Sequence, residues 1–551
     1  MSGLALRPPD TVMRLARLGA MHATRLSFLR ALLRRAQREA WQVTRPVWSI
    51  NAEGFGHAIY RVQTPRRSYS LIAFSDSLPP ERRTDRVIAD AWDTSYVLYD
   101  GVPDAQEVVR LRANAPRQEA GRFTARDLIL SRANKSVRLF ETVAQTLAQG
   151  AQPEAALVES VGYLMRTTAV YGNGKFGLAD RDEIADRPEF AGPFQAEMLT
   201  VWLIRGFTID LVEHRARAVA PATAVALTPA LRRRFGVGNA TGLGMAPFLV
   251  RHPLLLHRWM LARETALARV RALPEATPAT WDAFAQHAAA AAAELEGWHT
   301  DDPVQMPRIR ALRGELMRLR AYAATLPAET PAPWDALFRW AAQTLGLEAQ
   351  EFAVTLLLEP HGALVDDLCD TLGADEAATV AIDGGMSVGA LAAAIARDYD
   401  WALAIDPADR AAQARFWYAS AEKLEPRLGE RDAEPGAELE QPLTFARDVP
   451  ALLRRLRLEP ADSPVADLLL REPDWRHVVR RVQIVQRFPY AEIRDNLIGA
   501  AMRPIDLLRC KLAMFGAQKF DPRSDRWLRI TLFQGAPFPQ DFAEGDVERA
   551  A

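Results

Sequence analysis

Cysteine is nearly missing from this 551-residue chain, with only Cys369 and Cys510, so neither a disulfide framework nor a cysteine zinc site can be built. Lysine is almost as scarce. Lys135, Lys175, Lys423, Lys511 and Lys519 are the only five among 68 basic residues. Arginine codons are GC-rich and lysine codons AT-rich, so a high-GC bacterial source is expected, and each remaining lysine gains interest. Net charge is also lacking, at −1, which argues against a nucleic-acid partner because such proteins carry a basic footprint. No run of 18 apolar residues occurs, so no transmembrane segment is expected. The start of the chain has neither an uninterrupted apolar core nor a small-residue cleavage pattern, so it does not read as a signal peptide. Together these absences predict a cytoplasmic protein, with a homo-oligomer left open.

Several catalytic signatures are missing too. There is no G-x-S-x-G, no P-loop, and no H-x-x-x-H pair for zinc. Residues 53–62, containing Gly54, Gly56, His57 and Tyr60, have the outline of a nucleotide-covering hairpin. The strand after it lacks the lysine of a kinase lobe, and no Asp-Phe-Gly or His-Arg-Asp follows. NAD is not expected, since Gly236-Val-Gly238 follows a helical stretch ending in Arg232-Arg-Arg-Phe235 instead of a strand. Haem is not expected either.

Almost half of the residues are apolar and a quarter charged, which is ordinary globular composition. Leu15, Leu18, Leu26, Leu29, Leu32 and Leu33 recur at helical spacing among eight arginines, predicting a basic amphipathic helix within residues 1–44. It would either dock on the protein or engage a membrane surface or partner. Short aromatic and β-branched runs at 47–50, 58–63, 69–74 and 96–99, broken by glycine, proline and aspartate, predict an antiparallel sheet in a small β-rich subdomain, 45–122. Later segments, among them 125–148, 153–169, 194–217, 246–272, 279–296, 304–325, 332–345 and 348–371, show apolar residues at i, i+3, i+4 spacing. The expected fold is mainly α: a multi-helix core with a small antiparallel β subdomain near the N-terminus (α+β). Its parts would be a helical domain over 123–273, another over 279–424, an acidic proline-rich linker at 425–442, and a helical segment over 443–551 with a terminal strand near 527–533.

Two glycine-rich stretches carry the chemistry. Around Tyr171-Gly-Asn173-Gly-Lys175-Phe-Gly177, backbone N–H groups and one ammonium make an anion cradle, with Arg166 before it and Asp180 after. Gly238, Asn239 and Thr241 precede a helix that begins near His252, so an anion could rest on that helix N-terminus. Within the helix predicted over 125–148, Ser131, Asn134, Lys135 and Arg138 share one face. These residues point to an enzyme acting on a small carboxylate or phosphate metabolite, a lyase or hydrolase, with His57 or Asp180 moving the proton. Lys175 is also where a Schiff base would form. A non-catalytic helical scaffold is the alternative. A third reading rests on Asp366-Asp367-Leu-Cys-Asp370, a spacing that can hold Mg²⁺ and a diphosphate, as in isoprenoid chemistry. The second motif it needs fails, because Lys135 stands where an acid is required. Asp210 and Glu213-His214 could offer two metal ligands from one helix.

Overall fold

A computed structural model of the chain describes residues 5–79, 91–117, 122–167, 186–241, 252–298, 303, 305–327, 329–370, 372, 380–406, 444–494, 509–517, 519–522 and 528–544. The chain divides into two compact units. The β-sheet unit holds 25–241, 512–521 and 528–551, and the helical unit holds 1–24, 242–511 and 522–527. Among the described residues no helix is long and apolar enough to cross a membrane.

The expected small antiparallel subdomain is overturned. The sheet has nine strands in the order β1-β2-β3-β4-β5-β6-β7-β9-β8 and is mixed. β1 (Gln42–Ile50), β2 (Gly56–Gln63), β3 (Ser68–Ser75) and β4 (Thr94–Asp100) form the expected meander. It then continues through β5 (Asp127–Lys135) and β6 (Tyr163–Thr167), where helices were predicted. β7 (Gly236–Thr241) runs parallel to β6, and the C-terminal β9 (Leu528–Leu532) pairs antiparallel with β7. β8 (Lys519–Pro522) closes the order.

The helical prediction failed for a definable reason. Every side chain of β5 except Arg132 is buried, as is all of β6, so no polar face remains to mark a period of two. Gly162, at φ +79°, ends the helix Ala155–Val161 and lets the chain turn straight into β6. The helix expected at 348–371 stops at Leu358, and two four-residue helices, Gly362–Val365 and Asp367–Asp370, follow it.

Both faces of the sheet are covered. Ile59, Ile72, Phe74, Val97, Tyr99 and Leu130 pack against Leu111 of the helix Ala105–Asn114. On the other face lies the 25-residue helix Gln195–Val219, with Phe207 set edge-on against Tyr60 and Tyr96. Eighteen of its residues are buried, which is why it is apolar nearly all round rather than striped. The basic N-terminal region is not one helix. It forms short turns at Pro9–Val12 and Leu15–Arg17 and then the helix Phe28–Arg38, whose Leu29, Leu32 and Leu33 are buried.

The helical unit is built from long helices that include Pro253–Arg271, Pro278–Glu296, Gln305–Thr325, Pro333–Thr344 and Leu347–Leu358. Thr277 caps the second of them by accepting the Thr280 N–H, just ahead of Pro278 at the first helical position. In the first, His257 lies between the rings of Phe488 and Tyr490, and its Nδ1 accepts the Tyr490 N–H at 3.2 Å. Burial, helped by the Arg258 charge, pushes its pKa down from 6.5 to about 4. The unfolded chain therefore takes up this proton near pH 6.5, and the folded chain only near 4. Stability from this group is complete above pH 6.5 and is lost as pH falls through that window, by about 3 kcal/mol at its limit. His257→Leu should flatten that part of the thermal-melt profile between pH 7 and 4. Parallel profiles for the two proteins would show that His257 is not the group responsible.

Candidate functional site

Tyr171, Asn173, Lys175 and Asp180 lie outside the described residues. Ser131, Asn134 and Lys135 are on a strand, not on a helix face, so successive side chains point to opposite sides of the sheet. Asn134, Arg166 and Gly238 do become neighbours, because Arg166 pairs with Asn134 in β5 and with Gly238 in β7. The Asn134 amide donates to the Ala91 carbonyl at 3.0 Å and accepts the Asp93 N–H at 2.8 Å, which fastens a connection instead of facing a ligand. Lys135 is buried with its ammonium 5.1 Å from the centre of the Phe140 ring. Arg138 is half-buried, just beyond β5.

The glycines expected in a loop at 236–244 begin as strand β7. Their function there is close approach: a Cβ on Gly238 would sit 2.7 Å from the Tyr163 ring. Asn239 donates to the Thr167 carbonyl at 3.0 Å, tying β7 to the end of β6. Thr241 ends β7. His57 is half-buried on β2, and burial together with Arg112 lowers its pKa, so the ring is neutral near pH 7. His252 belongs to the helical unit, at the N-cap of Pro253–Arg271.

The acidic candidates do not converge. Asp367 is exposed and paired with Arg269 at 2.8 Å, Asp366 is half-buried, and the side chain of Asp370 lies outside what is described. Asp210, Glu213 and His214 also diverge. Glu213 accepts the Leu227 N–H, and His214 lies between Trp48 Nε1 and the Asn51 carbonyl. Among the described residues no group of three His, Cys, Asp or Glu could hold a metal ion.

What the fold does assemble is a cavity of about 250 Å³ in the β-sheet unit. Its walls come from β1, β2, the helices Gln195–Val219 and Pro229–Arg234, and the segment after β9. Asp210 is the hub. Its Oδ2 accepts from the Tyr60 hydroxyl at 2.6 Å and from Arg45 at 2.5 Å. Arg232 stands 3.9 Å from Oδ1, too far for a hydrogen bond. Burial, and then the neighbouring Asp210 charge, push the Tyr60 pKa well above 10, so Tyr60 remains a donor. Arg45 also stacks 4.5 Å from the Trp48 ring centre, which fixes its plane.

The apolar walls are Trp202, Leu203 and Phe538, and Gly206 opens the space between them. A Cβ there would meet only the Tyr60 ring, at 4.0 Å. The Nε of Arg232 is buried and has no hydrogen-bond partner among the described residues. Two guanidiniums and a phenol facing one carboxylate leave the site with one net positive charge, which suits an anion. Sequence reasoning missed this constellation. Its one local signal was Asp210 itself, an acid set between Ile209 and Leu211, both buried, in the long helix. No protein-family model, curated protein or solved structure matches the chain.

Proposed function

We propose that the β-sheet unit binds a small anionic metabolite, a carboxylate or phosphate, in the Arg45–Tyr60–Asp210–Arg232 cavity and acts on it as a lyase or hydrolase. The observation that carries this reading is the charge of the lining: Arg45 and Arg232 both face the single carboxylate of Asp210, which leaves one positive charge uncompensated in the cavity wall. An anionic ligand offsets such an excess through charge-assisted hydrogen bonds. Asp210 is the group placed to move a proton, with Tyr60 and Arg45 holding its carboxylate in position.

The test is a thermal-shift and calorimetric titration with inorganic phosphate and small carboxylates. A ligand at 100 times its Kd should stabilise the protein by about 2.7 kcal/mol. Arg232→Ala should abolish that gain. Gly206→Ala should leave the fold intact or stabilise it by about 0.5–1 kcal/mol, since alanine favours a helix interior over glycine. Gly206→Leu should block the cavity and remove binding. Anion binding that survives both Arg232→Ala and Gly206→Leu would place the ligand elsewhere and refute the assignment.

A further inference from the structure

We infer that the anion this cavity takes carries a hydrogen-bond donor beside its charged group, as α-hydroxy and α-amino acids do; this rests on the reading of the cavity just proposed. The two oxygens of Asp210 are not equivalent. Oδ2 accepts from both Tyr60 and Arg45, whereas Oδ1 accepts no hydrogen bond among the described residues and only faces Arg232 at 3.9 Å. Arg232 therefore attracts an anion to the one place where a carboxylate oxygen would repel it.

A plain carboxylate or phosphate can satisfy Arg232 only by bringing its own oxygens against Asp210 Oδ1. A ligand with a hydroxyl or ammonium next to its carboxylate avoids that conflict. The anionic group meets Arg232, and the neighbouring donor meets Oδ1. The gap between the two protein groups is too long to close internally, so both remain available to the ligand at once. Fixing Oδ2 with two donors also prevents the carboxylate from rotating to pair with Arg232 instead. Asp210 would thus set specificity as well as position.

The experiment compares malate, aspartate, succinate and inorganic phosphate by calorimetry on the full chain. Malate and succinate differ by a single hydroxyl, so their ratio isolates the donor. One hydrogen bond to a charged acceptor predicts that malate or aspartate binds about 10–100-fold tighter than succinate. Asp210→Asn should bring that ratio close to one by letting succinate and phosphate in, and Tyr60→Phe should keep the preference while loosening all four ligands together. Malate without aspartate, or the reverse, supports the inference and identifies the donor as hydroxyl or ammonium. Succinate or phosphate binding as tightly as malate overturns it while leaving anion binding in the cavity standing. No binding by any of the four overturns both.

Discussion

Replacing Glu351 by alanine should destabilise the helical unit by about 3–5 kcal/mol, a large share of what holds a domain folded. Glu351 accepts from Arg7 at 3.0 Å, from Arg17 at 2.9 Å and from Arg263, and its side chain is only 1% exposed. Glu264, also fully buried, takes two further bonds from Arg7, at 2.7 and 2.8 Å. Burial works to raise the Glu264 pKa, but Arg7 and Arg263 together hold it below the ordinary carboxylate range. The network already has three guanidiniums for two carboxylates. Without Glu351, three cations would share one, and desolvation that the pairing now offsets would be uncompensated. The expected result is a lower urea midpoint with an unchanged slope. Glu351→Gln, which keeps the shape and an acceptor, should lose less. A loss below about 1 kcal/mol for the alanine variant would mean that solvent reaches these arginines and that the network is worth no more than a surface pair.

Arg205→Met should cost the β-sheet unit about 3–4 kcal/mol while nearly preserving side-chain volume. Arg205 is 1% exposed, and among the described residues no carboxylate accepts a hydrogen bond from it. Instead it donates to the carbonyls of Phe235 at 2.7 Å, Ala536 at 2.8 Å and Arg233 at 3.2 Å, and lies 3.8 Å from the centre of the Phe538 ring. Burial disfavours its charge and pushes its pKa down to about 9, so it remains protonated at neutral pH. Removing the donors takes this partner from the Phe235 and Ala536 carbonyls in the interior, while the Arg233 carbonyl keeps the Gly535 N–H at 2.8 Å. The segment they anchor carries Phe538 into the cavity wall, where the Trp202 bond to the Pro537 carbonyl, the Gly535 N–H bond to the Arg233 carbonyl and the Arg233–Asp541 ion pair would remain. Thermal melts and limited proteolysis of the C-terminus should change together. Arg205→Lys, with three donors on a single nitrogen, should recover part of the loss. A melt as stable as wild type would show that water can replace the guanidinium.

The residues divide clearly into what could be read in order along the chain and what could not. The strands β1 to β4 were legible because aromatic and β-branched runs alternate there with Gly54, Gly56, Pro65 and Gly101. The long helices were legible from their apolar spacing, and Pro278–Glu296 also from its Thr-Pro start. β9 was legible as a short β-rich run with no helical period. β5, β6 and β7 were not. Their polar residues are buried and satisfied by partners far along the chain, as in the 2.6 Å contact of the Ser131 and Thr167 hydroxyls or the Asn239 bond to Thr167. A sequence shows such residues as polar, and only pairing in space reveals them as interior.

The cavity, Asp210 apart, belongs to the second class. Arg45, Tyr60, Asp210, Arg232 and Phe538 sit on five separate stretches of a 551-residue chain, and no spacing rule links them. Sequence by itself determined the elements whose forces are local: turn residues, caps and amphipathic periods. Tertiary structure decided which buried charges meet and which of them line the cavity, because those depend on contacts between residues far apart in the chain.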